Sequence, residues 1–353
     1  MIFIRDYINI SFKKRVFEGY NMKIGVVNNC LKGETRVAAT PQIVKKFIDD
    51  GFEVVVEKCA GVLSGFEDEI YTKHGAALAD REGVLRTDIL LSVLPPKRTD
   101  LPLFRAGQWL ICDMSALEDK AEMQDLVRTD IGVIDLSKMP RISRAQTMDV
   151  LSSQALIAGY KASTIALQNL KKTAPLLMTS AGTLPPAKAV VIGAGVAGLQ
   201  AISVLKRMGA NVVATDIRAE SQTEIESVGG KFISDIKTEL YGADILITAA
   251  FSAGKKAPLL VKKEDVEKLS IGSVVIDMGD SNVEKSDKRQ DIFIMQDKHI
   301  ERQLPNPAST LFSNNVYAFL KTFDFLSTTT NFEDEILRAV LICSDGFLRG
   351  KIK

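Results

Sequence analysis

Apolar residues along this chain fall into two kinds of stretch. In one they stand consecutively: Lys23 to Val27, Phe52 to Val56, Asp88 to Val93, Trp109 to Asp113 and Ile131 to Asp135, then, after a gap, Ala189 to Ile192, Asn211 to Ala214, Lys231 to Ile233, Asp244 to Ala249, Ser273 to Asp277 and Ile292 to Met295. Unbroken apolar runs suit strands buried on both faces, as a parallel sheet requires. In the other kind, apolar residues recur every three or four positions, as at Leu199, Ile202, Leu205 and Met208, which is helical spacing. Thr40 reads as an N-cap with Pro41 at the first helical position, and Gly51 stops that helix. Strands alternating with helices predict mostly parallel sheets with right-handed crossovers.

A chain of 353 residues exceeds one ordinary core, and the alternation completes itself twice, so two α/β domains are expected. The layout read from the pattern is an extension over 1–21, a first α/β domain over 22–137 completed by 310–326, and a linking loop and helix over 138–187. A dinucleotide-binding domain over 188–305 and a C-terminal hairpin tail over 327–353 follow. The linking helix is expected to run to about Lys172, Met178 to Pro186 to be a connection, and Thr310 to Phe325 to be a helix that returns to the first domain. Asp345-Gly346 is a hairpin-turn signal.

The most informative stretch is AVVIGAGVAGLQAISVLKRMGANVVATD, Ala189 to Asp216. An apolar strand leads into Gly193, Gly195 and Gly198, spaced G-x-G-x-x-G, with Val196 opening a helix. The first glycine makes a tight turn, the second lets backbone approach a pyrophosphate, and the third lets helix and strand pack. The helix N-terminus offers amides and a positive dipole end to phosphate. Asp216 follows a second strand, about twenty residues on, where a dinucleotide fold keeps its ribose-binding acid. Arg218 beside it could meet a 2′-phosphate, but the acid itself favours NAD(H).

Composition narrows the chemistry. A net charge of +1 supplies no basic field for nucleic acid, and no apolar run has the length of a membrane span. Cys30, Cys59, Cys112 and Cys343 are scattered, with no C-x-x-C, and read as reduced, buried thiols of a cytoplasmic protein. With only His74 and His299, a metal cluster or a histidine base is not expected.

RVAATP (Arg36 to Pro41), MPRISRAQTMDVLSSQ (Met139 to Gln154), AGY (Ala158 to Tyr160), LPPAKAVVIGAGVAGLQA (Leu184 to Ala201) and ASTLFSNN (Ala308 to Asn315) together resemble the alanine dehydrogenase and transhydrogenase family. The PRISRAQ run places the likeness on its transhydrogenase side, in the form of a separate NAD(H)-binding subunit. The resemblance implies two Rossmann-like doubly wound domains joined by long helices, a homodimer, and NAD(H) in the interdomain cleft. It implies an oxidoreductase and translocase of the proton-translocating (Si- or Re/Si-specific) type. Hydride passes from NADH to NADP+ on an NADP(H)-binding partner subunit, coupled to proton movement through a separate membrane subunit. The chain would then be cytoplasmic, held at the inner side of the membrane by its partners. Direct hydride transfer needs positioning and water exclusion rather than an acid or base, which suits a histidine-poor chain. By position, Arg141, Gln146, Asp149 and Ser152 match the family's loop at the dihydronicotinamide. Arg141 and Asp149 would pair and, with Ser152, address the carboxamide, while Gln146 would reach toward the partner's cofactor. Read as residue types alone, the same cluster is a charged helix start.

Two stretches depart from the family. Its transhydrogenase members carry a long mobile segment after the third strand of the second domain, where this chain has only Ser234 to Gly242. In place of their Gly-Gly-Asn it has Met278-Gly279-Asp280-Ser281-Asn282-Val283. A divergent NAD(H)-binding relative without catalysis is therefore an alternative reading. An alanine dehydrogenase-like enzyme is a weaker one: Leu90 to Pro96 has no lysine and Ile111 to Leu117 no histidine for its substrate.

Overall fold

A computed structural model of the chain describes residues 21–30, 33–117, 120–250, 257–286, 289–323, 333–344 and 347–348. The extension expected over 1–21, Asn21 apart, and the Asp345-Gly346 turn lie outside the described residues. The chain forms two compact units, one from residues within 1–153 and 304–353, the other from 154–303. The expected linking segment is thus divided, 138–153 belonging to the first unit and 154–187 to the second.

The first unit is built on one sheet: β1 (Lys23–Val26), β2 (Glu53–Glu57), β3 (Ala77–Ala79), β4 (Ile89–Leu91), β5 (Trp109–Cys112), β6 (Gly132–Asp135), β15 (Leu341–Ser344) and β16 (Phe347–Leu348), in the order β16-β15-β6-β5-β4-β1-β2-β3. β1 to β6 pair in parallel, whereas β15 runs antiparallel to β6 and β16 antiparallel to β15. The expected C-terminal hairpin is thus β15 and β16, joined to the sheet through β6. Alternate side chains enter different cores. Ile24 and Val26 pack with Phe47, Phe312 and Phe319, while Val27 packs with Val84, Leu90 and Leu110. Every residue of β4, β5 and β6 is buried, which is why these strands read as continuous apolar runs.

Helix α1 (Pro41–Asp49) follows Thr40, which sits at the N-cap with extended backbone but caps nothing with its side chain. Its hydroxyl instead pairs with that of Ser313 at 3.3 Å, on α9 (Pro305–Phe323). α2 (Asp68–Lys73), α3 (Arg81–Leu85) and α4 (Lys120–Val127) make other crossovers, and α10 (Glu335–Val340) precedes β15. α5 (Val150–Asn169) ends slightly short of the expected Lys172. α9 gives its Phe312, Val316 and Phe319 stripe to the first unit's core, each phenylalanine contributing about 1.5–3 kcal/mol by burial.

In the second unit β9 (Lys188–Ile192), β10 (Asn211–Thr215), β11 (Lys231–Phe232), β12 (Ile245–Thr248), β13 (Val274–Asp277) and β14 (Phe293–Gln296) form an all-parallel sheet in the order β11-β10-β9-β12-β13-β14. That is the doubly wound dinucleotide-binding order, with its reversal between β9 and β12, where such sheets bind ligands at their carboxyl ends. α6 (Val196–Arg207), α7 (Ser221–Ser227) and α8 (Lys263–Val266) are the unit's other helices. Ala201, Ile202 and Leu205 of α6 and Ala162 and Ala166 of α5 share one core with β9, β10 and β12. The expected connection from Met178 to Pro186 contains a separate exposed hairpin, β7 (Leu177–Thr179) and β8 (Gly182–Leu184). No helix among the described residues is long and apolar enough to cross a membrane.

Candidate functional site

The turn after β9 gives each glycine of the fingerprint a separate task. Gly193 has φ +97°, and a Cβ there would come within 2.8 Å of the Ala249 carbonyl carbon. A Cβ on Gly198 would lie 1.8 Å from the Gly193 carbonyl oxygen, so α6 can approach the turn only without a side chain at that position. Among the described residues a Cβ on Gly195 would meet nothing within 4 Å, and its φ of −72° and ψ of −171° suit any residue. Its bareness therefore serves something outside the fold. Gly195 is also the N-cap of α6, which has no side-chain cap and no acid in its first turn, while Val196 is exposed. Unpaired amides and a positive helix end are left for an external anion.

Asp216, just beyond β10, is fixed against this turn. Its Oδ2 accepts the Ala194 amide at 2.7 Å, and its Oδ1 accepts the Arg218 amide at 2.9 Å and Nε at 3.1 Å. The Arg218 guanidinium also donates to the Ala194 carbonyl at 3.1 Å. Partial burial opposes ionisation of Asp216, but the Arg218 hydrogen bonds and the Ala194 amide outweigh it and hold the carboxyl below its ordinary value. The result is a rigid anion with acceptor capacity remaining, and an arginine turned inward onto it. That arrangement suits ribose hydroxyls and disfavours a 2′-phosphate.

The loop after β13 is held by Asp277. Its oxygens accept the Thr248 hydroxyl and Gly279 amide, both at 2.9 Å, and the Val283 amide and Gln296 side chain, both at 3.1 Å. Asp280 has φ +60°, a left-handed conformation that favours glycine. Asn282 is fully buried and donates to the carbonyls of Ala250 at 3.1 Å and Pro258 at 2.7 Å. The loop is thereby tied to the segment on which Gly193 packs.

The remaining candidate residues lie in the first unit, on a 3₁₀ turn (Ser143–Met148) and the start of α5. Asp149 accepts the amide of Ser152 at 3.0 Å and its hydroxyl at 2.5 Å, which makes it the cap of α5. The expected Arg141–Asp149 pair is not formed: both Asp149 oxygens accept from Ser152 instead. Among the described residues neither the exposed Arg141 guanidinium nor the exposed Gln146 side chain has a hydrogen-bond partner. Ala145 and Met148 anchor the turn in the core beside Phe312. Arg144 pairs with Asp334 at 2.6 Å. Asn315 of α9 donates to the Thr147 carbonyl and accepts from the Ser153 hydroxyl, both at 2.7 Å.

Two models of one family cover the chain: the alanine dehydrogenase/PNT N-terminal domain matches residues 25–158 and the corresponding C-terminal domain residues 162–351. The chain belongs to the alanine dehydrogenase/PNT family. Within that family, an NAD(P) transhydrogenase alpha subunit of Rhodospirillum rubrum is 35% identical over 92% of this chain and 97% of its own length. The same subunit of Rickettsia prowazekii is 33% identical over 92% of this chain and 95% of its own. The crystal structure of transhydrogenase from Sinorhizobium meliloti superimposes with a TM-score of 0.87 at 33% identity, covering 92% of this chain and 99% of that one.

Asn315 is the supporting residue that sequence reasoning missed. It sits in the ASTLFSNN run, and a polar residue on the buried stripe of α9 was the available signal. Arg36, in another family run, is buried against Glu34, whose carboxylate accepts its Nε and Nη2, both at 2.8 Å. Among the described residues no group of three or more His, Cys, Asp or Glu side chains is placed to hold a metal ion. The expectation of buried thiols holds for Cys112 and Cys343, the latter pushed up to about 12 by burial. Cys30 is only partly buried and Cys59 is exposed, because each lies past the end of a strand rather than within it.

Proposed function

We propose that the chain is the NAD(H)-binding subunit of a proton-translocating NAD(P) transhydrogenase, passing hydride from NADH to NADP+ held on a partner subunit. The observation that carries this reading is the open dinucleotide turn: among the described residues none lies within 4 Å of where a Gly195 Cβ would stand, and the α6 N-terminus lacks any side-chain cap. The names of the relatives, transhydrogenase subunits aligned over nearly their whole length, supply the reaction.

Bound NADH supplies the hydride, and the chain supplies position. The Gly195 backbone and the first-turn amides of α6 take the pyrophosphate, and Asp216 takes the adenosine ribose hydroxyls. Arg141 and Ser152 address the carboxamide, with Asp149 fixing Ser152 and the helix start. Gln146 is kept for the face met by the partner's nucleotide. No proton moves at the reacting carbons, so the contribution of these residues is orientation and exclusion of water.

The proposed assembly is a homodimer joined to a membrane proton-channel subunit and an NADP(H)-binding subunit on other chains. Such an assembly would sit peripherally at the inner, cytoplasmic side of the membrane. The relatives' designation as alpha subunits supports the partners. Self-association is supported by the β7–β8 hairpin, where Leu177, Met178 and Leu184 are all exposed although a lone two-stranded ribbon is marginal in water. Light scattering coupled to gel filtration measures the dimer directly.

Stopped-flow transfer from NADH on this subunit to an NADP+ analogue on its partner tests the reaction. Gln146→Ala should slow transfer at least tenfold with little change in NADH affinity, as expected for a contact used mainly in the transition state. No transfer by the unmodified chain would reduce it to a nucleotide-binding relative. Because only Ser234 to Gly242 follows the strand run at β11, NADH should also exchange quickly.

A further inference from the structure

Cys30 and Cys59 follow two neighbouring parallel strands, β1 and β2, paired in register from Lys23↔Glu53 to Val26↔Val56. Past the strand ends the two backbones stay tied. The side-chain carbonyl of Asn28 accepts the Cys30 amide at 2.9 Å, and its side-chain NH₂ donates to the Lys58 carbonyl at 3.1 Å. The Asn28 amide itself donates to Glu57 Oε2 at 2.8 Å. A single primary amide therefore bridges the residue bearing one thiol and the residue just before the other. Asn28 thus keeps the ends of the two chain segments that bear the thiols beside each other.

The two thiols differ in character. Cys59 is exposed, has φ +61°, and is held there by the Asp68 carboxylate, which accepts its amide at 2.9 and 3.1 Å. A cysteine in a left-handed conformation is uncommon, because its Cβ crowds the backbone. Cys30 is partly buried. Burial raises its thiol above the ordinary value against the opposing pull of its own backbone hydrogen bond, and the charges of Glu34, Cys59 and Glu57 add to the rise.

We propose that Cys30 and Cys59 form a redox-modification site, a dithiol that closes to a disulfide and reopens, with Cys59 as the attacking thiol and Cys30 as the resolving one. The co-reactant class is a low-molecular-weight disulfide such as oxidised glutathione. The Cys59 thiolate attacks one of its sulfurs, the S–S bond breaks, and one glutathione thiolate leaves and takes up the proton that Cys59 released. The Cys30 thiolate then attacks the Cys59 sulfur and expels the second glutathione thiolate. Two protein thiols lose two electrons and two protons, and one glutathione disulfide becomes two thiols. The bond ties the end of β1 to the end of β2 through Cys30 and Cys59. Excess reduced glutathione reverses it.

The full chain is treated with oxidised glutathione, capped with N-ethylmaleimide and mapped by tryptic mass spectrometry. The expected product is the peptide of residues 24–32 joined to that of 59–73, with the buried Cys112 and Cys343 still thiols. Cys30→Ser should leave glutathione trapped on Cys59, and Cys59→Ser should leave Cys30 unmodified. Closing a loop of this length should also raise the unfolding midpoint of the parent by roughly 5 °C, and that of neither variant. If glutathione persists on Cys59 of the parent beside a free Cys30, or if neither thiol reacts, the proposal is wrong.

Discussion

Gly195 and Gly198 stand three residues apart in the same turn, yet their surroundings give them opposite kinds of necessity. In Gly198→Ala the new methyl would sit 1.8 Å from the Gly193 carbonyl oxygen, a backbone atom that cannot rotate aside. Overpacking of this kind costs about 1–3 kcal/mol. Better helix propensity returns at most about 1 kcal/mol. A net loss of about 2 kcal/mol lowers the unfolding midpoint of the second unit by roughly 4–8 °C. In Gly195→Ala the methyl meets nothing within 4 Å among the described residues and the backbone angles need not change. The smaller entropy of the unfolded chain favours the variant by about 0.4–1 kcal/mol, and a poorer N-cap offsets part of that. Its stability should thus stay within about 1 kcal/mol of the parent. The methyl now occupies the approach to the α6 amides, however. Losing even one charge-assisted hydrogen bond there, at about 1.5–3 kcal/mol, weakens NADH by at least about tenfold. Thermal unfolding without nucleotide and fluorescence titration with NADH separate the two effects. If Gly195→Ala binds NADH like the parent, or Gly198→Ala melts with it, the division of labour is wrong.

Other consequences follow from single contacts. Asp216→Ala should weaken NADH by about tenfold to a hundredfold without weakening NADPH, while the parent prefers NADH; equal affinities of the parent in a fluorescence titration would exclude the ribose role. Asp100 is bound by Arg81 at 2.7 and 2.9 Å, and although burial opposes its ionisation, those bonds and the Lys97 amide hold its carboxyl below the ordinary value. A depressed folded value makes this stabilisation full above the unfolded value near about 3.9 and lost as pH falls through the folded one. Urea unfolding should therefore show the parent's advantage over Asp100→Asn undiminished between about pH 5 and 7 and shrinking below about pH 4; an advantage constant down to about pH 3 would contradict this. Asn315→Ala should cost about 1–3 kcal/mol by stranding the Thr147 carbonyl and should slow hydride transfer by loosening the turn that carries Gln146. Purified parent should form no NADH from L-alanine and NAD+ in an absorbance assay, since the lysine and histidine of that chemistry have no counterpart at Leu90 to Pro96 or Ile111 to Leu117.

What can be read from the chain in advance follows the range over which each feature is determined. The central strands of both sheets are legible because they are buried on two faces, so nearly every position in β4, β5, β12 and β13 has to be apolar whatever its neighbours, whereas the short, half-exposed edge strand β3 gives no such signal. The hairpin of β15 and β16 is legible from its turn signal, but its docking on β6, far earlier in the chain, is not, because only tertiary packing creates that antiparallel edge. The β7–β8 hairpin passes for a connection because its Leu and Met residues face outward and show no alternation with a core. The same contrast runs through the site. The fingerprint glycines answer to constraints a few residues away, so spacing alone announces them. Arg141 and Asp149 lie further apart, and their pairing depends on a competition that no spacing reveals. A local cap to Ser152, formed within one helical turn, needs less ordering than an ion pair between an exposed guanidinium and a distant acid, and it wins. Its victory changes the chemistry expected of the loop. With Asp149 turned to Ser152, Arg141 carries its charge unneutralised by that acid, which leaves it free to meet the carboxamide in the proposed role. The turn between these two residues is itself held from afar by Asn315, which bonds Thr147 and Ser153 from a helix 168 residues beyond that threonine.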